Sequence, residues 1–299
     1  MHYKTSVDRR GFFISEAGLP RKKYIYSLSG FSDPGCLYFM KQINNRGFRA
    51  KTCRRIISQL IIIFLSIQCF GQAPANWKLE RMPAALETDF ALSCLPSHIR
   101  PGATVYLLDP EKGYYVARQG NNGFICFVVR TDWIRGEFRK DFAAAISYDA
   151  EGSVSIFPVY KDVEAMRSTG KFTALQIRDT ISERFSKGIY KAPAKPGISY
   201  MLAPLMRVYS DPSDSLKVSS FSMPHYMFYA PYLTAADIGG NSDSGGPMVL
   251  GNKNDPHCYI ILPVGKTEKA DILAENKSLL LRLAEYKSYF NIGQDEMHH

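Results

Sequence analysis

Thr104-Val-Tyr-Leu-Leu108, Asp109-Pro-Glu-Lys-Gly113 and Tyr114-Tyr-Val-Ala117 follow one another without interruption. Two short apolar runs, rich in aromatic and β-branched residues, flank a turn punctuated by proline and glycine, which is the pattern of a β-hairpin. A second polar turn, Gln119-Gly-Asn-Asn-Gly123, leads into a third run, Phe124 to Arg130. The turn Asp149-Ala-Glu-Gly152 precedes a further expected strand over residues 153–159, and others are expected at residues 198–202, 225–229 and 258–264.

Between these strands the period changes. Ile177, Ile181 and Phe185 recur every four residues within 173–187, so they share one face of an amphipathic helix. Glu183 and Lys187 form a helix-compatible pair and Gly188 stands at the stop position. A shorter helix is expected over residues 161–168. Leu279, Leu280, Leu283, Tyr286 and Phe290 give a final apolar helical face. The sequence therefore predicts one α+β domain over residues 76–292, with mostly antiparallel short strands, a mid-chain amphipathic helix and a C-terminal helix, followed by a disordered tail over 293–299.

The 299-residue chain is 45% hydrophobic and 22% charged, which excludes a disordered, collagenous or coiled-coil molecule. Its formal charge of +9 is unevenly placed. Of the 37 basic and 28 acidic residues, 12 and 3 precede Pro74, which leaves 25 of each sign in the expected domain. With no surplus positive charge there to displace counterions from a phosphate backbone, no nucleic-acid partner is expected.

The basic first quarter has its own organisation. Arg49, Lys51, Arg54 and Arg55 run into the apolar stretch Ile56 to Ile67, and Gly71-Gln-Ala73 and Ala73-Pro-Ala75 offer small-residue cleavage sites. That is a secretory signal peptide, expected over residues 40–75 with cleavage after Ala75 and with Met40 as the natural start. The run is shorter than the roughly 20 residues of a membrane-spanning helix, so no stable span is expected after its removal. Residues 1–39 are expected to be a non-native or disordered extension. Lipid attachment at Cys69 is not expected, because Gln68 precedes it where a small residue is needed. Cys94, Cys126 and Cys258 then remain. An odd count in an oxidising compartment makes no disulfide framework, and the apolar runs around Cys126 and Cys258 predict buried, inert thiols.

Three features carry candidate chemistry. Asp243-Ser-Gly-Gly-Pro247 resembles the nucleophile motif of chymotrypsin-like serine proteases over five residues, although Ser242 stands where that pattern has glycine. The resemblance implies Ser244 as nucleophile, and the chemistry needs a base, His225 or His98, and a carboxylate such as Asp237. The set His225, Asp237 and His257 has acid–base or ligand character, but separations of 12 and 20 residues match no compact zinc motif, so neither metal nor cofactor is expected. Lastly, Tyr226 and Phe228 alternate with Met227 and Tyr229 on a strand that either lines a ligand cleft or is buried on both faces. His225, Tyr226, Tyr229, Asp237 and His257 are the candidate ligand-binding residues.

A wider resemblance runs through Asn122-Gly-Phe-Ile-Cys126, Tyr148-Asp-Ala-Glu-Gly152, Pro196-Gly-Ile-Ser-Tyr-Met-Leu202, Pro224-His-Tyr-Met-Phe-Tyr-Ala-Pro231, Ala236-Asp-Ile-Gly239 and His257-Cys-Tyr-Ile-Ile261. In this order these segments resemble a family of exported bacterial proteins. The resemblance implies a signal-bearing single-domain protein in the periplasm or outside the cell, and brings no catalytic residues with it. The expected function is binding of a small ligand or a protein partner; the alternative is a serine hydrolase acting through Ser244.

Overall fold

The computed structural model describes residues 79–210, 217–239 and 247–292, which all fall in one compact unit. The expected signal peptide, the extension and the tail, with Asp243 and Ser244, lie outside the described residues.

The hairpin is present as β1 (Thr104–Asp109) and β2 (Gly113–Arg118). Its turn closes because Asp109 Oδ1 accepts the Glu111 N–H at 2.9 Å and Gly113 takes φ of 84°, which glycine adopts without a Cβ clash. β3 (Ile125–Val129) lies parallel to β1, with Val105 opposite Cys126, and β4 (Ala143–Tyr148) runs antiparallel to β3. The second sheet begins at β5 (Ile198–Met201), while β6 (Met206–Tyr209) and β7 (Val218–Phe221) complete the first in the order β2-β1-β3-β4-β6-β7. β8 (His225–Tyr229), β9 (Met248–Leu250) and β10 (Tyr259–Pro263) join β5 in the antiparallel order β5-β8-β10-β9.

All five residues of β3 are buried, as befits a strand covered on both faces. Cys126 and Val128 point into a core shared with Phe90 of α1 (Ala84–Ser93), with Leu95 just beyond that helix, and with Leu279, Leu283 and Phe290 from the C-terminal helical region. Ile125, Phe127 and Val129 point the other way, into a core with Tyr148 and Phe157 and with the inner side chains Met227, Tyr229, Tyr259 and Ile261 of the second sheet.

The stretch expected as a strand over 153–159 is helical instead: α2 (Ala150–Ser155) leads into α3 (Phe157–Ser168). The expected turn at Asp149 is the N-cap of α2, its Oδ1 accepting the Gly152 N–H at 2.9 Å. Phe157 and Val159 mimic strand alternation, but Val159, Val163 and Met166 recur at helical spacing and are all buried. The helix expected over 161–168 is the second half of α3. α4 (Ala174–Ser186) follows the sequence expectation closely. Thr173 and Gln176 form a reciprocal capping box, Ile177 and Ile181 are buried, Glu183 pairs with Lys187 at 2.6 Å, and Gly188 takes φ of 66°. The C-terminal helix is α6 (Lys277–Tyr286), preceded by α5 (Lys266–Glu275) and followed by a 3₁₀ turn, Ser288–Phe290.

α2 is tied to the second sheet at one point. Tyr229 Oη lies 3.0 Å from both Asp149 Oδ1 and the Ile198 carbonyl, and Asp149 Oδ2 accepts the Ile198 N–H at 2.9 Å. A Cβ at residue 152 would come within 2.1 Å of Tyr229 Oη, so glycine is required there by close approach. Gly152→Ala is expected to lower stability by about 2 kcal/mol or more in urea unfolding. Tyr229→Phe, which removes the hydroxyl, should lose about 1 kcal/mol. The double variant should be more stable than the sum of the two single losses implies; strict additivity would contradict the contact.

Candidate functional site

Of the residues singled out from the sequence, those described do not converge. His225 and His257 sit at opposite ends of the β8–β10 ladder, since His225 pairs with Pro263 while Tyr229 pairs with Tyr259, two residues beyond His257. Both rings are buried. His225 Nδ1 is 2.7 Å from the Met223 carbonyl, His257 Nε2 is 3.0 Å from the Lys191 carbonyl, and the His257 ring meets Phe185 edge-on. Burial lowers both histidine pKa values despite these contacts, which keeps the imidazoles neutral. Asp237 lies in an exposed 3₁₀ turn, where its carboxylate accepts from the Thr234 N–H and hydroxyl, bonds that hold its pKa below the ordinary value. His98 is exposed. Tyr229 is the structural tie already described. Tyr226 donates to Glu268, and beside it Phe228 is 40% exposed, so β8 is covered on one face only.

A cleft of about 520 Å³ opens elsewhere. Residues 136–141, in the connection from β3 to β4, form one wall; residues 173–175, at the start of α4, and Tyr289 form the rest. The loop is shaped locally. Asp132 accepts the Ile134 N–H, a 3₁₀ turn follows at Trp133–Arg135, and Gly136 reverses the chain at φ of 66°. A Cβ at Gly136 would come within 2.9 Å of Leu175 Cδ2, so the two walls touch there.

Asp141 anchors the floor between two guanidiniums. Arg139 reaches it through Nε at 2.9 Å and Nη2 at 3.1 Å, and Arg207 on β6 through Nη2 at 2.6 Å. Burial alone would raise the Asp141 pKa, but the hydrogen bonds from Arg139 and Arg207 outweigh it and hold the carboxyl below its ordinary value. Arg207 also lies 5.1 Å from the Tyr289 ring centre. Two opposite charges on the wall are left less well served. Glu137 Oε1 is shut off from water and receives no hydrogen bond, its Arg139 neighbour standing at 3.9 Å. Lys140 is exposed, and its ammonium has no partner among the described residues.

Behind the loop lies a buried charged knot. Arg130 and Arg167 are 2% and 3% exposed. Arg130 donates to the carbonyls of Lys140 and Phe142, each at 3.2 Å. Arg167 donates to the carbonyls of Arg130 and Arg139, each at 3.1 Å, and to the Thr131 hydroxyl, and its guanidinium stacks 4.6 Å from the Phe138 ring centre. Thr131 in turn donates to Glu164 at 2.5 Å. Burial raises the Glu164 pKa and lowers that of Arg167 to about 10, the attraction between them offsetting only part of each. Nearby on α1, Glu87 is 2% exposed and accepts the Leu108 N–H at 2.9 Å.

The sequence reading missed this region, although Arg130-Thr-Asp-Trp-Ile-Arg-Gly-Glu-Phe-Arg-Lys-Asp141 places seven charged residues within twelve. Such density inside a chain of otherwise short apolar strands was the available signal. Cys94, Cys126 and Cys258 are free and buried. Burial raises the Cys94 and Cys258 pKa values and pushes Cys126 up to about 12. Among the described residues no group of three or more His, Cys, Asp or Glu side chains is placed to hold a metal ion, and no helix is long and apolar enough to cross a membrane. No known protein family, no curated protein and no solved structure matches the chain.

Burial moves the Glu87 carboxyl from 4.5 to about 7, against the Leu108 hydrogen bond and the attraction of Arg130 and Arg81. The folded state therefore holds this proton more tightly than the unfolded chain does. The resulting stabilisation is complete below pH 4.5 and is lost as pH rises through about 7. Relative to Glu87→Gln, which keeps an acceptor for Leu108, the wild-type protein is expected to lose about 3 kcal/mol of stability across that interval. Parallel pH–stability curves for the two proteins would contradict the assignment.

Proposed function

We propose that the protein is an exported binding module whose cleft takes a small zwitterion with an apolar body, such as a free amino acid or a short peptide. The carrying observation is the pairing of opposite charges on one wall, a Glu137 side chain that is 33% exposed and an exposed Lys140, in a cleft that also presents Phe138 and Leu175. Arg139 meets the Glu137 carboxylate only at 3.9 Å, so the exposed part of that carboxylate takes a ligand ammonium in a charge-assisted hydrogen bond. Lys140 is placed for the carboxylate, and the apolar side chains for the ligand's body.

Several features favour binding over catalysis. Arg139 and Arg207 hold the Asp141 carboxylate ionised and occupied, so it is not available as a base. Among the described residues, those lining the cleft include no histidine or cysteine. Export rests on the signal-like segment at residues 40–75.

Thermal melting against a panel of free amino acids and dipeptides, with neutral monosaccharides beside them, tests this reading. At least one apolar amino acid or dipeptide at millimolar concentration is expected to raise the melting temperature by a few degrees. Glu137→Gln is expected to weaken that binding about tenfold or more, with the unliganded melting temperature nearly unchanged. A panel in which no amino acid or dipeptide binds, or in which only the neutral sugars do, would contradict the zwitterion reading.

A further inference from the structure

We infer that Arg130 and Arg167 are positioning residues of the cleft, a pair of buried guanidiniums that fix the wall formed by residues 136–141 without touching what binds there. This inference rests on the cleft being the binding site.

A loop between two strands has no ladder partner for its carbonyls, and buried carbonyls need donors. Here three of them, on Arg139, Lys140 and Phe142, receive hydrogen bonds from the two buried arginines. Tyr289 adds a longer bond, its hydroxyl 3.4 Å from the Lys140 carbonyl. Arg167 grips the loop from a second direction by lying against the Phe138 ring.

The two arginines come from different elements. Arg130 directly follows β3, the strand buried on both faces, and Arg167 lies near the end of α3. Because Arg167 also donates to the Arg130 carbonyl and the Thr131 hydroxyl, helix, strand end and loop are joined at one guanidinium. Glu164 supplies the negative charge, one helical turn before Arg167 and through the Thr131 hydroxyl. Arg is required here by geometry as well as by charge, since a lysine ammonium cannot reach three acceptors in a planar fork while stacking on an aromatic ring.

The loop carries its own reporter, because trypsin cuts after Arg139 and Lys140. In the wild-type protein these bonds are expected to resist trypsin under native conditions. Arg167→Met is expected to speed cutting there at least tenfold, and Arg167→Lys by an intermediate factor, while circular dichroism and cooperative melting persist. Arg184→Met serves as control: near the C-terminal end of α4, away from residues 173–175, it breaks a 2.6 Å pair with Asp162 of α3 and should leave loop cutting unchanged. Methylguanidinium in millimolar excess, with loop cutting normalised to cleavage of a small lysyl substrate because guanidinium also enters trypsin's specificity pocket, should slow loop cutting in Arg167→Met and leave the control alone, a rescue that general destabilisation does not give.

If Arg167→Met does not fold, Arg130→Lys and Arg167→Lys carry the same comparison. Loop cutting in folded arginine variants that matches wild type, or that rises no more than in Arg184→Met, would overturn the inference. The cutting assay uses no ligand, so it stands apart from the amino-acid panel. If a panel member binds, Arg167→Lys should weaken it in proportion to loop cutting; unchanged binding alongside fast cutting would also overturn the positioning role and leave the cleft as the site.

Discussion

The end of β3 is where this fold meets its hardest physical requirement. A strand covered on both faces runs directly into Arg130 and Thr131 without reaching solvent, so a full positive charge enters the interior with the backbone. Isolated buried charge is prohibitive, and its neighbours must solve the problem. α3 does so by bringing Glu164 and Arg167 to the same point, and α1 adds Glu87 from the other side of the sheet. Net stabilisation from such an arrangement is small, because desolvation of the charges consumes most of the attraction, whereas removing one member leaves the rest uncompensated. The knot therefore specifies geometry more than it adds stability.

That geometry is what the cleft inherits. Carbonyls that would otherwise be orphaned in the connection from β3 to β4 are taken by the two guanidiniums, and the loop is held in place by them. Asp141 is consumed between Arg139 and Arg207, whereas Glu137 meets Arg139 only at 3.9 Å and Lys140 is exposed. On the reading proposed above, a wall with two opposite charges suits recognition of a small zwitterion.

Much of the architecture was legible in local sequence. The hairpin of β1 and β2 is announced by its turn, and α4 by an unbroken period of four with caps at both ends. β8 and β10 follow from their apolar alternation. β4 was not legible: Ala-Ala-Ala-Ile-Ser-Tyr has the composition of a helix, and only its place beside β3 makes it a strand. Residues 153–159 misled in the opposite direction, because strand-like alternation at Phe157 and Val159 concealed a helix whose decisive signals are the Asp149 cap and the buried Val163 and Met166 beyond. The candidate site was harder still. Histidine, aspartate and tyrosine drew attention by type, yet His225 and His257 are spent on carbonyls and Tyr229 on a helix cap. The cleft is assembled from a loop, a helix start and a C-terminal turn more than a hundred residues away, and nothing in local pattern brings those together.

The interior at the end of β3 is both dry and charged, with Arg130, Glu164 and Arg167 buried together. Carbon-detected NMR titration of the glutamate side chains measures this without any variant. Glu164 is expected to titrate above its ordinary value of 4.5, because water cannot reach it and its guanidinium neighbours only partly offset that. A Glu164 midpoint at or below 4.5 would mean that solvent or a dominant ion pair governs the site, and the picture of a buried, geometry-setting knot would fail.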